Sequence, residues 1–494
     1  MDALAWGRKA AKILGLSRPE GGAESRRRPH IEAVRIPRAE HPISRKNVSK
    51  AALRVLYGLH EAGYQALLVG GGVRDQLLGL SPKDFDIATD AHPEDVKRVF
   101  RRCRLIGRRF RLAHVRFGDE IIEVATFRAA PRTPDEGDED EADDTRHELD
   151  DSGRILRDNV YGNLEEDAVR RDFTINALYY DIADYSIVDH VGGMEDIAAR
   201  RLRLIGDPET RYREDPVRIL RALRFAAKLD FHIDPAARKP IPALIPTLLD
   251  VPPARLFDEL QKMLLCDHAS ECFAQLESYG LVKLLLPPVA AHLETPPTRE
   301  LIMAALRSTE ERVRADKPVS PAFLLACLLW FPVRQLQDEL VGQGMPPVQA
   351  LAAASDTLFS QLASRVAMPR RFTGMVNEIW QLQHRFLQRR GKRPLRLLEH
   401  KRYRAAWDFL ELRAQVGDAE AELPGWWEQF AAGQGGEREA LQEDAPSGPA
   451  PARKRRRRRR GGRGGRSGGQ GGGQGGGQGG GQGGGGNSGG GGGG

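Results

Sequence analysis

Residues 66–89 read ALLVGGGVRDQLLGLSPKDFDIAT, and the rest of the chain is organised around them. The apolar run Ala66 to Val69 stops at Gly70, Gly71 and Gly72, and Val73 to Leu78 then shows helical spacing and carries Arg74 and Asp75. After a second turn, Asp84 to Ala88 alternates as a half-buried strand does. Side chains two apart on a strand share a face. Asp84 and Asp86 are therefore expected to point together while Phe85 and Ile87 enter the core. Two carboxylates on one face repel unless a cation lies between them, and hard oxygen ligands suit Mg²⁺. Glycines ahead of a helix start leave backbone N–H groups open to phosphate oxygens. An Asp-x-Asp alone is more often a solvated strand edge, and a glycine run alone is more often a tight turn. The specific signal is their succession.

Composition narrows the classes. A chain of 494 residues is long enough for two to four domains and a substantial core. The four cysteines form no C-x-x-C and have no nearby histidine set, which argues against zinc and against a disulfide framework. Lys9 and Lys12 interrupt the only leader-like stretch, and the apolar run Pro321 to Val333 is too short to span a bilayer. A cytoplasmic protein is expected. Its net charge of +7 is not diffuse: from Gly433 onward there are eleven Arg or Lys against four Asp or Glu, which accounts for all of it. The segment Asp135 to Asp151 opposes this with eleven acids and one Arg.

The fold class expected is α+β: a small mixed-sheet head, an all-α neck and body, and a disordered basic C-terminal tail. Residues 1–45 read as a flexible basic extension and 46–200 as the head, interrupted by an acidic disordered insertion at 131–152. Within the head, Lys46 to Gly63 and Pro93 to Arg102 are predicted helices. Strands are predicted at Arg104–Ile106, Leu112–Phe117 and Glu120–Ala125, Arg170 to Tyr179 looks helical, and Ser186–His190 with the turn Gly192-Gly193 closes the head. A helical neck follows over 201–260, with Asp215-Pro216 as a helix start and Asp215, Arg218 and Arg221 along one face. On its own, such a face is an ordinary solvated one with an Asp–Arg pair. A helical, RNA-binding body is expected over 261–432, where Trp380, Tyr403, Trp407, Trp426 and Trp427 read as core rather than as base-stacking platforms. The tail, 433–494, cannot bury enough apolar surface to fold; its run Arg453 to Arg460 and Gly-Gly-Arg steps suit RNA phosphates.

Four blocks in order, Leu68–Thr89, Glu120–Arg128, Glu166–Tyr180 and Asp207–Lys228, followed by Pro252 to Phe257, give the chain a family resemblance. It resembles the nucleotidyltransferases of the DNA polymerase β superfamily, in the branch holding bacterial poly(A) polymerases and bacterial-type CCA-adding enzymes. The resemblance implies that Asp84 and Asp86 hold two Mg²⁺ ions, and that Gly71, Arg74, Arg171 and Asp172 contact the incoming nucleotide or complete the site. Asp215 with Arg218, helped by Arg221, would read the base edge. A third carboxylate is usual in such sites; Asp172 is ranked for it, with Glu123 a close rival.

Physical chemistry agrees with that reading. In-line displacement at phosphorus needs positioning and charge stabilisation, which acids, glycines and arginines supply. A carboxylate accepts an exocyclic amino group and a guanidinium donates to the neighbouring ring nitrogen, a pattern that suits adenine and cytosine and opposes guanine and uracil. Which product follows rests on other residues. Leu105 to Val115 looks like the block that sets the poly(A) polymerases apart, no HD-type phosphohydrolase motif follows the neck, and the arginine tail suits broad RNA. The expectation is template-independent addition of AMP from ATP to RNA 3′ ends, promoting RNA turnover, with RNA-decay proteins as candidate partners. CCA addition to tRNA is the alternative, and a non-catalytic RNA-binding protein the second.

Overall fold

In a computed structural model the described residues are 33–107, 111–129, 148–149, 155–157 and 160–445. Residues 1–32, most of the acidic insertion, Arg108 to Phe110 and the arginine run beyond 445 lie outside them. The architecture is α+β, with one mixed sheet in the head and helices thereafter.

The sheet strands are β1 (Val34–Ile36), β2 (Ala66–Val69), β3 (Asp86–Thr89), β4 (Cys103–Ile106), β5 (Leu112–Phe117) and β6 (Glu120–Thr126). A short separate hairpin pairs β7 (Glu148–Leu149) with β8 (Ile155–Arg157). Then come β9 (Leu178–Asp181) and β10 (Ile187–Asp189), and the eight-stranded order is β1-β10-β9-β2-β3-β6-β5-β4. β3 and β6 run parallel while β2 pairs antiparallel with both β3 and β9. The chain therefore places the end of β2, the start of β3 and the middle of β6 side by side.

Four expectations need correction. β3 begins at Asp86, so Asp84 and Phe85 lie in the loop before it and the pair is not two residues of one strand. Arg170 to Tyr179 is not a helix. The helix Leu164–Arg170, capped by Asn163 and Glu166, ends there; Arg171 is extended, Thr174–Asn176 makes one 3₁₀ turn, and β9 follows as an interior strand. Phe173 and Tyr180 do reach one core, but from two places: Phe173 from the extended residue ahead of the 3₁₀ turn and Tyr180 from β9. The supposedly mobile N-terminal extension supplies β1, because the free edge of β10 gives Val34 to Ile36 backbone partners. At the other end, Gly436–Asp444 is a helix docked on the body: Trp426 Nε1 donates to Leu441 O at 3.0 Å and Arg438 Nε to Phe430 O at 2.9 Å. The tail thus leaves the body later than 433.

Two cores meet on one helix, Val217–Leu229. Its Ile219, Ala222, Phe225 and Leu229 pack into the head, while Val217, Leu220 and Leu223 pack into the helical body. Pro216 sits just ahead of it and Asp230, in the left-handed region, ends it. Trp380 and Trp427 are fully buried among body helices, so the aromatic stripe is core.

Candidate active site

β2 delivers the chain to Gly70, whose φ of +69° and ψ of −131° only glycine adopts without strain. The helix Gly71–Leu77 starts there, two residues earlier than its spacing predicted, with Arg74 N–H donating to Gly70 O at 3.1 Å. The N–H groups of its first turn have no partner within the helix. A Cβ placed on Gly70 would stand 3.9 Å from Asp86 Oδ2 and 4.0 Å from Arg171 Nη1. Carboxylate and guanidinium therefore frame the glycine turn directly.

Asp86 opens β3 opposite Val69 on one side and in register with Glu123 of β6 on the other. Its rim is exposed, yet partial burial of the carboxylate, then the Glu123 charge, push its pKa up to about 6; Arg171 opposes this and Asp84 adds to it. Three carboxylates thus act on one place. Across the ladder on β5, His114 Nε2 lies 3.2 Å from Glu123 Oε1. Among the described residues no three or more His, Cys, Asp or Glu side chains form a ready-made metal cage. Mg²⁺ is commonly bound through one or two carboxylates together with waters and substrate phosphates. Asp86, crowded by like charge and open to solvent, fits such an ion.

The arginines differ from one another. Arg74 is 3% exposed and points away from solvent. Its Nε and Nη2 bond Asp75 Oδ1 at 2.8 and 2.6 Å, its Nη1 bonds Asn176 Oδ1 at 2.6 Å, and its guanidinium lies over the Phe225 ring. It fastens the glycine helix to the segment before β9 and lies just under Gly71, where a Cβ would be 3.6 Å from Nη2. Arg171 donates to Asp167 Oδ2 at 2.8 Å and to the Tyr179 hydroxyl at 2.8 Å, which leaves its Nη1 directed at the glycine turn. Burial would raise the Asp167 pKa, but Arg171 and Arg170 outweigh it and hold the group at about 2.

Asp172 is already fully engaged. Its Oδ1 accepts from Phe173 N–H at 2.8 Å and Asn176 Nδ2 at 3.2 Å, and its Oδ2 accepts from Arg221 Nε at 2.7 Å. Burial works against the carboxylate, yet Arg221 and Asn176 carry its pKa down to about 2. The carboxylates that act on Asp86 are Glu123 and Asp84, and Asp172 instead lines a second cleft.

That cleft, of about 360 Å³, brings Asp172, Asp215, Arg218 and Arg221 together with Arg255 and Lys262. The side chains of Asp215 and Arg218 share it without bonding each other. Asp215 Oδ2 accepts from Arg255 Nη2 at 2.7 Å, and Arg218 Nη1 donates to Arg211 O at 2.7 Å and Glu214 Oε2 at 2.9 Å. Buried Glu259 closes the floor, 2.8 Å from Lys262 Nζ and 3.4 Å from Arg224 Nε. Sequence reasoning missed Arg255, Glu259 and Lys262. Their signal was present: Pro252-Pro253 starts the helix Pro253–Leu264, and the three polar residues recur at helical spacing on one side of it.

With the geometry in view, comparison with known proteins is direct. Residues 66–203 match the family described as Poly A polymerase head domain, 230–293 the Probable RNA and SrmB- binding site of polymerase A, and 343–461 the Polymerase A arginine-rich C-terminus. Poly(A) polymerase I of Salmonella typhimurium is 47% identical over 447 residues, 89% of this chain and 94% of that protein. A CCA-adding enzyme of Bacillus pumilus is 40% identical, but over only 37% of this chain and 41% of its own. Among solved structures, a tRNA nucleotidyltransferase complexed with a primer tRNA and an incoming ATP analog is 22% identical with a TM-score of 0.49, covering 76% of this chain and 98% of that one. The chain is a nucleotidyltransferase and belongs to the bacterial poly(A) polymerase I family.

Proposed function

We propose that this enzyme adds AMP from ATP to RNA 3′ ends without a nucleic acid template and releases pyrophosphate. The observation that carries the reading is the seat of Asp86, against the Gly70 turn, in register with Glu123 and beside Arg171. Anionic side chains, closely approachable backbone and a guanidinium meet there, which is what transfer of a nucleotidyl group requires. Similarity to poly(A) polymerase I along most of the chain supports adenylate tails over CCA addition.

In this mechanism the glycine-turn N–H groups and Arg171 Nη1 receive the triphosphate. Asp215, held at Oδ2 by Arg255, accepts the adenine amino group, and Arg218 donates to the adjacent ring nitrogen once it exchanges Glu214 for the base. Asp172 keeps Arg221 aimed into that cleft, and on these bonds we assign it to positioning, with Glu123 as the third carboxylate beside Asp84 and Asp86. When bound, two Mg²⁺ ions held there supply charge stabilisation at the attacking and leaving oxygens. The RNA 3′ oxygen attacks the α-phosphorus, the α–β bridging bond breaks, and pyrophosphate leaves with the bonding pair. A single-stranded adenylate tail offers 3′ exonucleases a landing site, so RNA turnover and decay proteins are the proposed context. Free thiols at all four cysteines suit the reducing cytoplasm.

Incubation with Mg²⁺, labelled RNA and each nucleotide singly tests the proposal. Long homopolymers from ATP alone are expected, and addition of C, C and A confined to tRNA would transfer the chain to the other reaction. Asp84→Ala and Asp86→Ala are expected to abolish incorporation while RNA binding persists. Pyrophosphate release undiminished in both would remove the pair from the site.

A further inference from the structure

One cleft of the head stands apart from Asp84, Asp86 and Glu123. It measures about 630 Å³ and lies between the start of the helix Lys50–Glu61, the segment joining the helix Pro93–Val99 to β4, and the β5–β6 turn. Lys50, Arg54, Arg101, Arg102 and Arg116 line it, all exposed, against the single acid Glu120. Lys50, Arg101 and Arg102 have no acidic partner among the described residues. Arg116 reaches only Asp119, at 3.9 Å, and Gly118 O, at 2.8 Å. Two half-buried rings form the floor. Phe117 lies 5.9 Å from the Arg54 guanidinium, and Phe100 packs so closely on Gly58 that a Cβ there would be 2.9 Å from the ring. Solvent-facing cations, most of them without an acidic partner, over anchored aromatic rings are the pattern by which proteins hold single-stranded nucleic acid: the cations track phosphates and the rings carry bases.

The topology says which part of an RNA can reach it. Ala113, Val115, Ile122 and Val124 pack into the core beneath the helices, so by pairing Phe117 and Glu120 share that face. Glu123, in register with Asp86, falls on the opposite face. The cleft and the carboxylates therefore occupy opposite faces at the same end of the sheet, and Glu120 is three residues from Glu123, roughly 10 Å along the strand. A strand ending at Asp86 must round that end before it enters the cleft.

We propose that this basic, Phe-floored cleft is a second RNA-binding site, which grips the substrate strand several nucleotides upstream of its 3′ end. It lies outside the 230–293 segment matched as a probable RNA-binding site. The proposal rests on the adenylyl-transfer reading for the direction in which the RNA runs, and its binding arm does not. Each single-strand phosphate left without its protein cation flattens the slope of log affinity against log salt by roughly 0.7. The test compares the full chain with its Arg101→Ala/Arg102→Ala/Arg116→Ala variant, using fluorescence anisotropy on an oligoadenylate of about fifteen nucleotides, long enough for a single-strand site. Expected are affinity about tenfold weaker at moderate salt and a salt slope shallower by about 2. The corresponding triple Lys variant, which keeps the charge, should recover most of both. With ATP, KM for the long primer should rise by a similar factor while turnover of a trinucleotide primer stays unchanged. Unaltered affinity and slope for the long oligonucleotide would overturn the site in favour of another occupant, such as an acidic protein. Equal losses on the trinucleotide would overturn it in favour of a defect in the catalytic end. Absence of AMP incorporation by the parent would instead sink the transfer reading and leave the binding result standing.

Discussion

Asp86 and Asp172 are carboxylates of one head whose surroundings push them in opposite directions. Asp172, tied to Arg221, Asn176 and the Phe173 N–H, has its folded pKa near 2 against an ordinary 3.8. A depressed folded pKa contributes stability that is present above the unfolded value and lost as pH falls through the folded one. Asp172→Asn is therefore expected to cost about 2 kcal/mol in urea melts at pH 7, with the gap to the parent closing below pH 3. A gap of the same size at both pH values would mean that packing, rather than the Arg221 pair, is what the substitution removes. For Asp86 the sign reverses. Its folded pKa of about 6 exceeds 3.8, so the ionised form costs stability that returns as pH falls through 6. A divalent ion relieves the same repulsion. Added Mg²⁺ should raise the Tm of the parent at pH 7.5, raise it much less at pH 5, and leave Asp86→Asn nearly unmoved. A Tm increment that survives the substitution would place the ion elsewhere.

At the level of elements, what was legible in the sequence is what is local. The glycine turn and the acidic pair fall within one short stretch, and the alternation of β5 and β6 gives their strands to within a residue. What was hidden depends on partners distant in the chain. Glu123 becomes a neighbour of Asp86 only because β3 and β6 pair in parallel, and no spacing within either strand announces that. Asp172 meets Arg221, 49 residues on, a partner that no local spacing announces. Arg255 is a similar case. It reaches Asp215 from a helix 40 residues away and is the only side chain bonded to that carboxylate among the described residues. Without it, Asp215 Oδ1 keeps only the Val217 N–H, at 3.3 Å, and loses its aim. Arg255→Ala is expected to lower kcat/KM for ATP about tenfold, about 1.4 kcal/mol, and to narrow the preference for ATP over GTP. Arg255→Lys should restore part of the preference. An unchanged ATP-to-GTP ratio in Arg255→Ala would mean that Asp215 is held by backbone alone.

Across the whole molecule the helix Val217–Leu229 decides how site and body communicate. One side of it belongs to the head core and the other to the body core, and Arg218 and Arg221 line the cleft they share with Asp172 and Asp215. A protein interior is close-packed, so a void on one side of a shared helix is felt on the other. Leu220, fully buried on the body side, is the place to test this. Leu220→Ala should destabilise by about 2–5 kcal/mol through lost transfer energy and a residual cavity. Five of the six tryptophans lie between residues 330 and 427, so fluorescence during urea unfolding reports chiefly on the body. Hydrogen exchange of the β2 and β3 amides reports on the head. If the helix couples the cores, the substitution lowers the fluorescence midpoint and the head-strand protection together, and it raises KM for ATP because the cleft arginines ride on the same helix. If the fluorescence midpoint falls while β2 and β3 keep their protection and KM holds, the two cores are independent.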